Sequence, residues 1–339
     1  MDFNIFFIIL ILSICCNYTL FKINNLKISN TTIRQVQDIH LGNPSRLGGF
    51  IIIFLYFCFE FIYIKNNSIF FLCFLLIFIT SALEDLKISV RPLIRLLIII
   101  LASYLLISSM DVLPKFNFGF LNIFFNNSYF QLCFFSISIA AVVNGQNIVD
   151  GTNGLSGFSS LAIFTSLLFI GFYIEDNFLI QNCIIIIPLI IGFLFFNYPY
   201  GRIFMGDSGS YFLGFLSGYL VIGTFGKNPY LPTWSAVTLL FYPILEVTFS
   251  YFRKILQKKS PFVADNLHLH LKVYFLISKG QKNRSLFNAL VAPLLGAVWI
   301  CPAALVPLSL QKPHWSMGIL FILIFIYLFI YFSVPNPKN

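Results

Sequence analysis

The chain has 339 residues, 58% of them hydrophobic and only 10% charged, with a mean hydropathy of +0.88, and no water-soluble globular surface is built from so little charge. Its formal net charge of +9 is scattered along the sequence instead of gathered in one basic patch, which excludes a nucleic-acid-binding domain. The composition predicts an all-α polytopic membrane protein, a single domain over 1–339 with about eleven apolar windows long enough to cross a bilayer.

The first window, 3–21, follows Met1-Asp2 with neither a basic flank nor a small-residue cleavage site, so it is expected to stay as a helix. A polar stretch with Lys27, Arg34, Asp38 and His40 then leads through Pro44, Arg46, Gly48 and Gly49 into the window 48–64, where Glu60 near Lys65 reads as helix-end pairing. The third window, 69–83, ends in EDLKISVRPLIR. Adjacent Glu84 and Asp85 offer a general base or a metal contact, and Lys87, Arg91 and Arg95 offer cations for a lipid phosphate. The same cluster would also serve simply to anchor helix ends. Pro92 suits the first turn of the next helix, whose window is 93–110.

After 128–143 comes NGQNIVDG, with Asn144, Asn147 and Asp150 three residues apart. At a helix end this spacing turns all three toward one face, with Gly151 and Gly154 allowing close approach of a bulky anionic ligand. A plain capping turn has the same look. Windows 155–174 and 178–196 precede GRIFMGDSGS, where Asp207 stands in a glycine-rich turn ahead of the window 209–226. Backbone N–H groups there suit phosphate oxygens, while the carboxylate would repel a diphosphate unless magnesium lay between them. A simple Asp-Ser-Gly turn is the alternative. Beyond the window 233–252, the loop 253–284 carries Asp265, His268 and His270, suited to a pyrophosphate or a sugar. A zinc site is the other reading, although the spacing matches no zinc motif. Windows 286–308 and 315–333 close the chain, and all seven cysteines lie in apolar stretches without a disulfide or zinc pattern.

If the amino terminus faces outward and each window crosses once, only Lys65, Lys115, Lys227 and Lys312 of the 21 basic residues lie outside. The positive-inside rule then assigns the other loops to the cytoplasm. Asp38, Glu84, Asp85, Asp150, Asp207, Glu246 and Asp265 gather on that inner side too, against Asp2, Asp111, Glu175 and Asp176 outside. Carboxylates brought repeatedly to one face of so uncharged a chain point to cation binding or proton exchange. A transporter or lipid flippase would also have many spans, but its functional polar groups would be expected near the midplane.

In order along the chain, Pro44-x-Arg46-x-Gly48-Gly49, the acidic pair Glu84-Asp85, N-x-x-N-x-x-D-G from Asn144 to Gly151 and F-M-G-D-x-G-S from Phe204 to Ser210 resemble the polyprenyl-phosphate N-acetylhexosamine-1-phosphate transferases, glycosyltransferase family 4. The resemblance implies ten or eleven transmembrane helices around a cytoplasmic-face cleft in the bacterial inner membrane. It implies a UDP-N-acetylhexosamine donor, an undecaprenyl phosphate acceptor and magnesium, with manganese a substitute. A homodimer is compatible with it. By position it makes Asp207 the metal ligand, with Asp150 a second, and Asp85 the base for the lipid phosphate, with Glu84 beside it in place of the usual aspartate. Asn144, Asn147, Asp150, Asn197, Lys87, Arg91, His268 and His270 would bind substrate. The final loop, D-N-L-H-L-H-L, lacks the three consecutive histidines of the muramoyl-pentapeptide branch and looks more like the branch that initiates O-antigen, capsule or related surface glycans. The reaction implied is attack of the lipid phosphate on the β-phosphorus, releasing UMP, with a covalent aspartyl-phosphate as the competing route.

Overall fold

A computed structural model of the chain describes residues 3–26, 44–64, 68–116, 119, 121–261, 263, 265–279 and 284–337. Lys27, Arg34, Asp38, His40, Lys65, Ala264, Lys282 and Lys338 lie outside them. Among the described residues there are fifteen α-helices: α1 Phe3–Leu26, α2 Gly48–Tyr63, α3 Ser68–Asp85, α4 Pro92–Ser108, α5 Leu121–Phe125, α6 Ser128–Val149, α7 Leu155–Tyr173, α8 Asn177–Asn197, α9 Gly206–Lys227, α10 Thr233–Leu239, α11 Phe241–Leu256, α12 Leu269–Ile277, α13 Arg284–Leu294, α14 Gly296–Ser309 and α15 Pro313–Ser333. The fold is the expected all-α polytopic one.

Each of the eleven expected windows coincides with helix, but the match to membrane crossings is looser. Among the described residues eight helical segments are long and apolar enough to cross, Ser285–Ser309 counting as one. The window 233–252 is not one straight span: it breaks at Leu240, where α10 and α11 meet at 77°. Pro243 sits just past the break and has no N–H to continue the ladder. Helices α2 and α4, of 16 and 17 residues, are apolar but short, reaching only about 24–26 Å at 1.5 Å per residue against a hydrocarbon core of about 30 Å.

Helix α9 is the axis of the bundle, buried along nearly its whole length and packed against α2, α3, α6 and α7. Aromatic rings weld three of these together. Phe74 of α3 meets Phe212 of α9 at 4.9 Å and Phe57 of α2 at 5.7 Å, and Phe70 stacks on Phe215 at 5.6 Å. Such ring pairs add to the packing energy of close helix contact. The peripheral helices instead present rings to the surroundings: Phe325 and Phe332 on α15 are 71% and 73% exposed, a lipid-facing distribution that water would not support. The ladder of rings matters for function because it fixes the last residue of α3, Asp85, beside the first turn of α9.

Candidate active site

The polar helix ends converge at one end of the bundle. Asp85 supplies the junction: its Oδ1 accepts the backbone N–H of Asp207 at 2.8 Å and its Oδ2 that of Ser208 at 2.9 Å. Two of the N–H groups that a helix start leaves unpaired are thereby met by a charged acceptor, which also suits the positive end of the helix. The approach depends on Gly206, whose φ of +76° favours glycine, and where a Cβ would stand 2.6 Å from Asp85 Oδ1 and against the Arg46 carbonyl. On the other side the segment before α2 zips onto the same turn. Phe204 N–H donates to the Ser45 carbonyl at 2.8 Å, and the N–H groups of Gly48 and Gly49 donate to the carbonyls of Phe204 and Met205 at 3.0 and 2.9 Å.

Asp207 itself is gripped by Arg95 of α4, Nη1 to Oδ2 at 2.8 Å. Glu84 stands 3.8 Å from the same guanidinium and accepts the Val90 N–H at 2.6 Å, closing the α3–α4 turn. Asn147 of α6 accepts the Ser210 hydroxyl at 2.9 Å, tying α6 to α9. Asn197 braces the turn after α8, donating to the Ile203 carbonyl at 2.8 Å and accepting the Gly154 N–H at 2.6 Å. Asn144 turns back on its own helix, donating to the Ala140 carbonyl at 2.7 Å.

These elements enclose a cavity of about 290 Å³ lined by Asn147, Asp150, Asn197, Asp207, His268 and His270, together with Arg46, Phe204 and the Gly151–Asn153 backbone. Six of the residues singled out in the sequence therefore share one wall. Glu84 and Asp85 stand directly behind it. Lys87 and Arg91 are exposed and do not line the cavity; with φ +65° at Lys87 the chain turns away after α3. Nor does Asn144 reach it. Arg46, quoted from its motif without a role, and Arg95, one turn beyond Arg91, are the cations that do approach. Helical spacing does not separate the two, which are four residues apart; Arg91 precedes the helix with extended backbone, whereas Arg95 lies within it.

The histidines enter from the loop before α12. His270 is 1% exposed, its Nδ1 has no hydrogen-bond partner, and its Nε2 faces Gly151 so closely that a Cβ there would collide with it. Burial drives its pKa down to about 4, with His268 adding to the fall and Glu246 opposing it. It is a neutral ring at neutral pH. Asp150 moves the other way. Enclosure by protein atoms, then the Asp207 and Asp85 carboxylates, raise its pKa well above the ordinary carboxylate range, with Arg46 opposing. Among the described residues no three His, Cys, Asp or Glu side chains form an ion-binding cluster. A cation here would draw on Asp150, Asp207 and substrate oxygens. That donor set, two carboxylates on one cavity wall under mutual repulsion, fits magnesium, which completes its shell with phosphates and water.

Comparison with known proteins covers the segment that holds much of this cavity. The profile of glycosyl transferase family 4 matches residues 67–224. A probable undecaprenyl-phosphate N-acetylglucosaminyl 1-phosphate transferase of Bacillus subtilis is 32% identical over 142 residues, 42% of this chain and 38% of that protein. Undecaprenyl-phosphate alpha-N-acetylglucosaminyl 1-phosphate transferases of Thermotoga maritima and Salmonella typhi are 40% identical over 82 residues and 26% identical over 308. These alignments cover 24% and 84% of this chain, and 26% and 79% of the respective relatives. The chain thus spans well under half of two of these relatives and about four-fifths of the third. The matched segment runs from α3 into α9 and carries Asn147, Asp150 and Asp207 into the cavity with Glu84 and Asp85 behind it, so over these residues the chain is similar to glycosyl transferase family 4.

Proposed function

We propose that this protein transfers N-acetylhexosamine-1-phosphate from a UDP-sugar to undecaprenyl phosphate, releasing UMP and starting a lipid-linked surface glycan. The observation that carries the reading is that Asp150 and Asp207 line one cavity together with Arg46 and two histidines, at one end of a membrane bundle. A water-soluble diphosphate and a membrane-held phosphate can meet only at such an end. The names of the relatives support the acceptor and the sugar class, and the His268-x-His270 loop supports the surface-glycan branch.

Asp207 and Asp150 would hold magnesium, which when bound offsets charge on the diphosphate. The chain's own part is positioning and electrostatics. Asp85 sets the first turn of α9 and with it Asp207; acting also as a base would cost it one of its two N–H bonds. Arg46 supplies positive charge to the cavity, and Arg95 holds the Asp207 carboxylate in one orientation. An oxygen of the lipid phosphate then attacks the β-phosphorus, and the bond from β-phosphorus to the bridging oxygen breaks as UMP leaves. A lipid phosphate is already ionised near neutral pH, its second pKa being about 6, so the nucleophile needs little help from a base.

Charge distribution supports a cytoplasmic face for the cavity. Arg46, Arg95, Arg202, Arg253 and Lys272 stand at its end of the bundle, whereas Lys115, Lys227 and Lys312 stand at the other, which is the asymmetry of the positive-inside rule. The decisive assay is UMP release from UDP-N-acetylglucosamine by the purified full chain with undecaprenyl phosphate and magnesium, set against an EDTA control. Release that needs both lipid and metal is expected. No release with this or other UDP-N-acetylhexosamines would overturn the proposal.

A further inference from the structure

The region between α11 and α12 holds charged side chains that the proposed reaction leaves unused. Glu246 lies on α11 just past the break at Leu240 and is 1% exposed. Its Oε2 is 3.3 Å from His268 Nδ1. His268 lines the cavity, and its ring stacks on that of His270 with centroids 5.8 Å apart and planes 9° from parallel. Behind the loop, Arg253 grips Asp265 through two bonds of 2.9 and 3.2 Å, and the Leu267 N–H donates to Asp265 at 3.1 Å. The backbone leading into His268 is therefore fixed independently of Glu246. His268 Nε2 lies 4.0 Å from Asp265 Oδ1, beyond hydrogen-bond range.

A buried carboxylate behind a cleft-lining histidine has a definite chemical effect. It accepts the proton on the near ring nitrogen, which fixes both tautomer and ring plane and leaves the far nitrogen for the ligand. A carboxylate without such a partner would be costly to bury. We infer that Glu246 is a positioning residue, holding His268 with Nδ1–H toward α11 and Nε2 presented to the diphosphate of the bound sugar donor. This rests on the transferase reading. Nothing in the sequence distinguishes Glu246 from an ordinary interfacial acid, because its partner lies 22 residues away on another element.

The test uses the full chain in lipid nanodiscs, with Glu246→Gln, His268→Gln and the double variant assayed for lipid-dependent UMP release over a range of UDP-N-acetylglucosamine. Glu246→Gln should lower kcat by about 10- to 100-fold while the donor KM stays within about twofold. In the His268→Gln background the same change should cost nothing further, because Glu246 acts through that ring. Losses that multiply in the double variant would overturn the inference. A second measurement does not depend on turnover: ring nitrogen spectra of protein carrying 15N-histidine, four residues in all, with His268 identified from its loss in His268→Gln. A proton resident on Nδ1 of His268 in the native protein, lost from that position in Glu246→Ala, is expected. An Nε2–H tautomer in the native protein, or an unchanged spectrum in the variant, would overturn it. Absence of UMP release from the native protein would instead strike the transferase reading, with the ring spectrum still deciding the role of Glu246.

Discussion

Asp207 has one carboxylate oxygen committed to Arg95 and the other side of its group facing the cavity. Asp207→Asn keeps the shape and removes the charge, so we expect kcat/KM for UMP release to fall about 100-fold or more with the thermal unfolding of the detergent-solubilised protein unchanged. Gly151 carries a different constraint. Its missing side chain makes room for His270, so Gly151→Ala should displace that ring and raise the donor KM, read from initial rates, more than it lowers kcat. Asp265 allows a test by pH. Burial works upward on its carboxyl, but the Arg253 bonds and the Leu267 N–H outweigh it and hold the pKa below the usual value. A depressed carboxylate contributes stability that is present above its unfolded value, about 3.9, and lost as pH falls through the folded one. The Tm gap between the native chain and Asp265→Asn should therefore be widest near pH 6 and close as pH drops below about 4. That Asn147, Asp150 and Asp207 come to one cavity was legible in the sequence because each stands in a short polar segment of a chain otherwise starved of charge, although their partners lie on distant helices. The exposure of Lys87 and Arg91 was not, since residue type alone does not say which way a loop turns after its helix.

The start of α9 is the element on which the site depends. The N–H groups of its second and third residues, Asp207 and Ser208, go to Asp85, and its fifth, Ser210, binds Asn147 of α6. Removing the acceptor with Asp85→Ala leaves two buried donors unmet and should cost about 2 kcal/mol, seen as a lower unfolding temperature. Faster amide exchange confined to residues 206–210 should accompany it. Asp85→Asn can satisfy only one of the two donors through its single carbonyl oxygen and should fall between. The broken α10–α11 pair was less legible at this scale. Its residues read as a single window of apolar character, so length and hydropathy predict a straight span, although Pro243 marks where a helix loses its ladder. Through that break Glu246 arrives beside His268.

Across the whole molecule, apolar length recovered every major helix, because in lipid each segment must satisfy its own backbone. Among the described residues α2 and α4, at 16 and 17 residues, are shorter than the eight segments that meet the length of a crossing. The orientation is open to direct measurement. In a cysteine-free background, a cysteine at Lys227 should react with an impermeant maleimide on intact cells, and one at Lys258 only after permeabilisation; the reverse pattern would invert the protein. The bond from Asp85 to the α9 backbone also has a consequence in time. The partners are 122 residues apart, so at about 5–20 residues per second a ribosome would finish the acceptor roughly 6 to 24 seconds before the donors exist. During that wait Asp85 lacks the two backbone N–H groups that hold it in the folded protein. The site thus comes into being only once α9 is seated, and a nascent chain that stalls earlier carries Asp85 and Asp150 without Asp207.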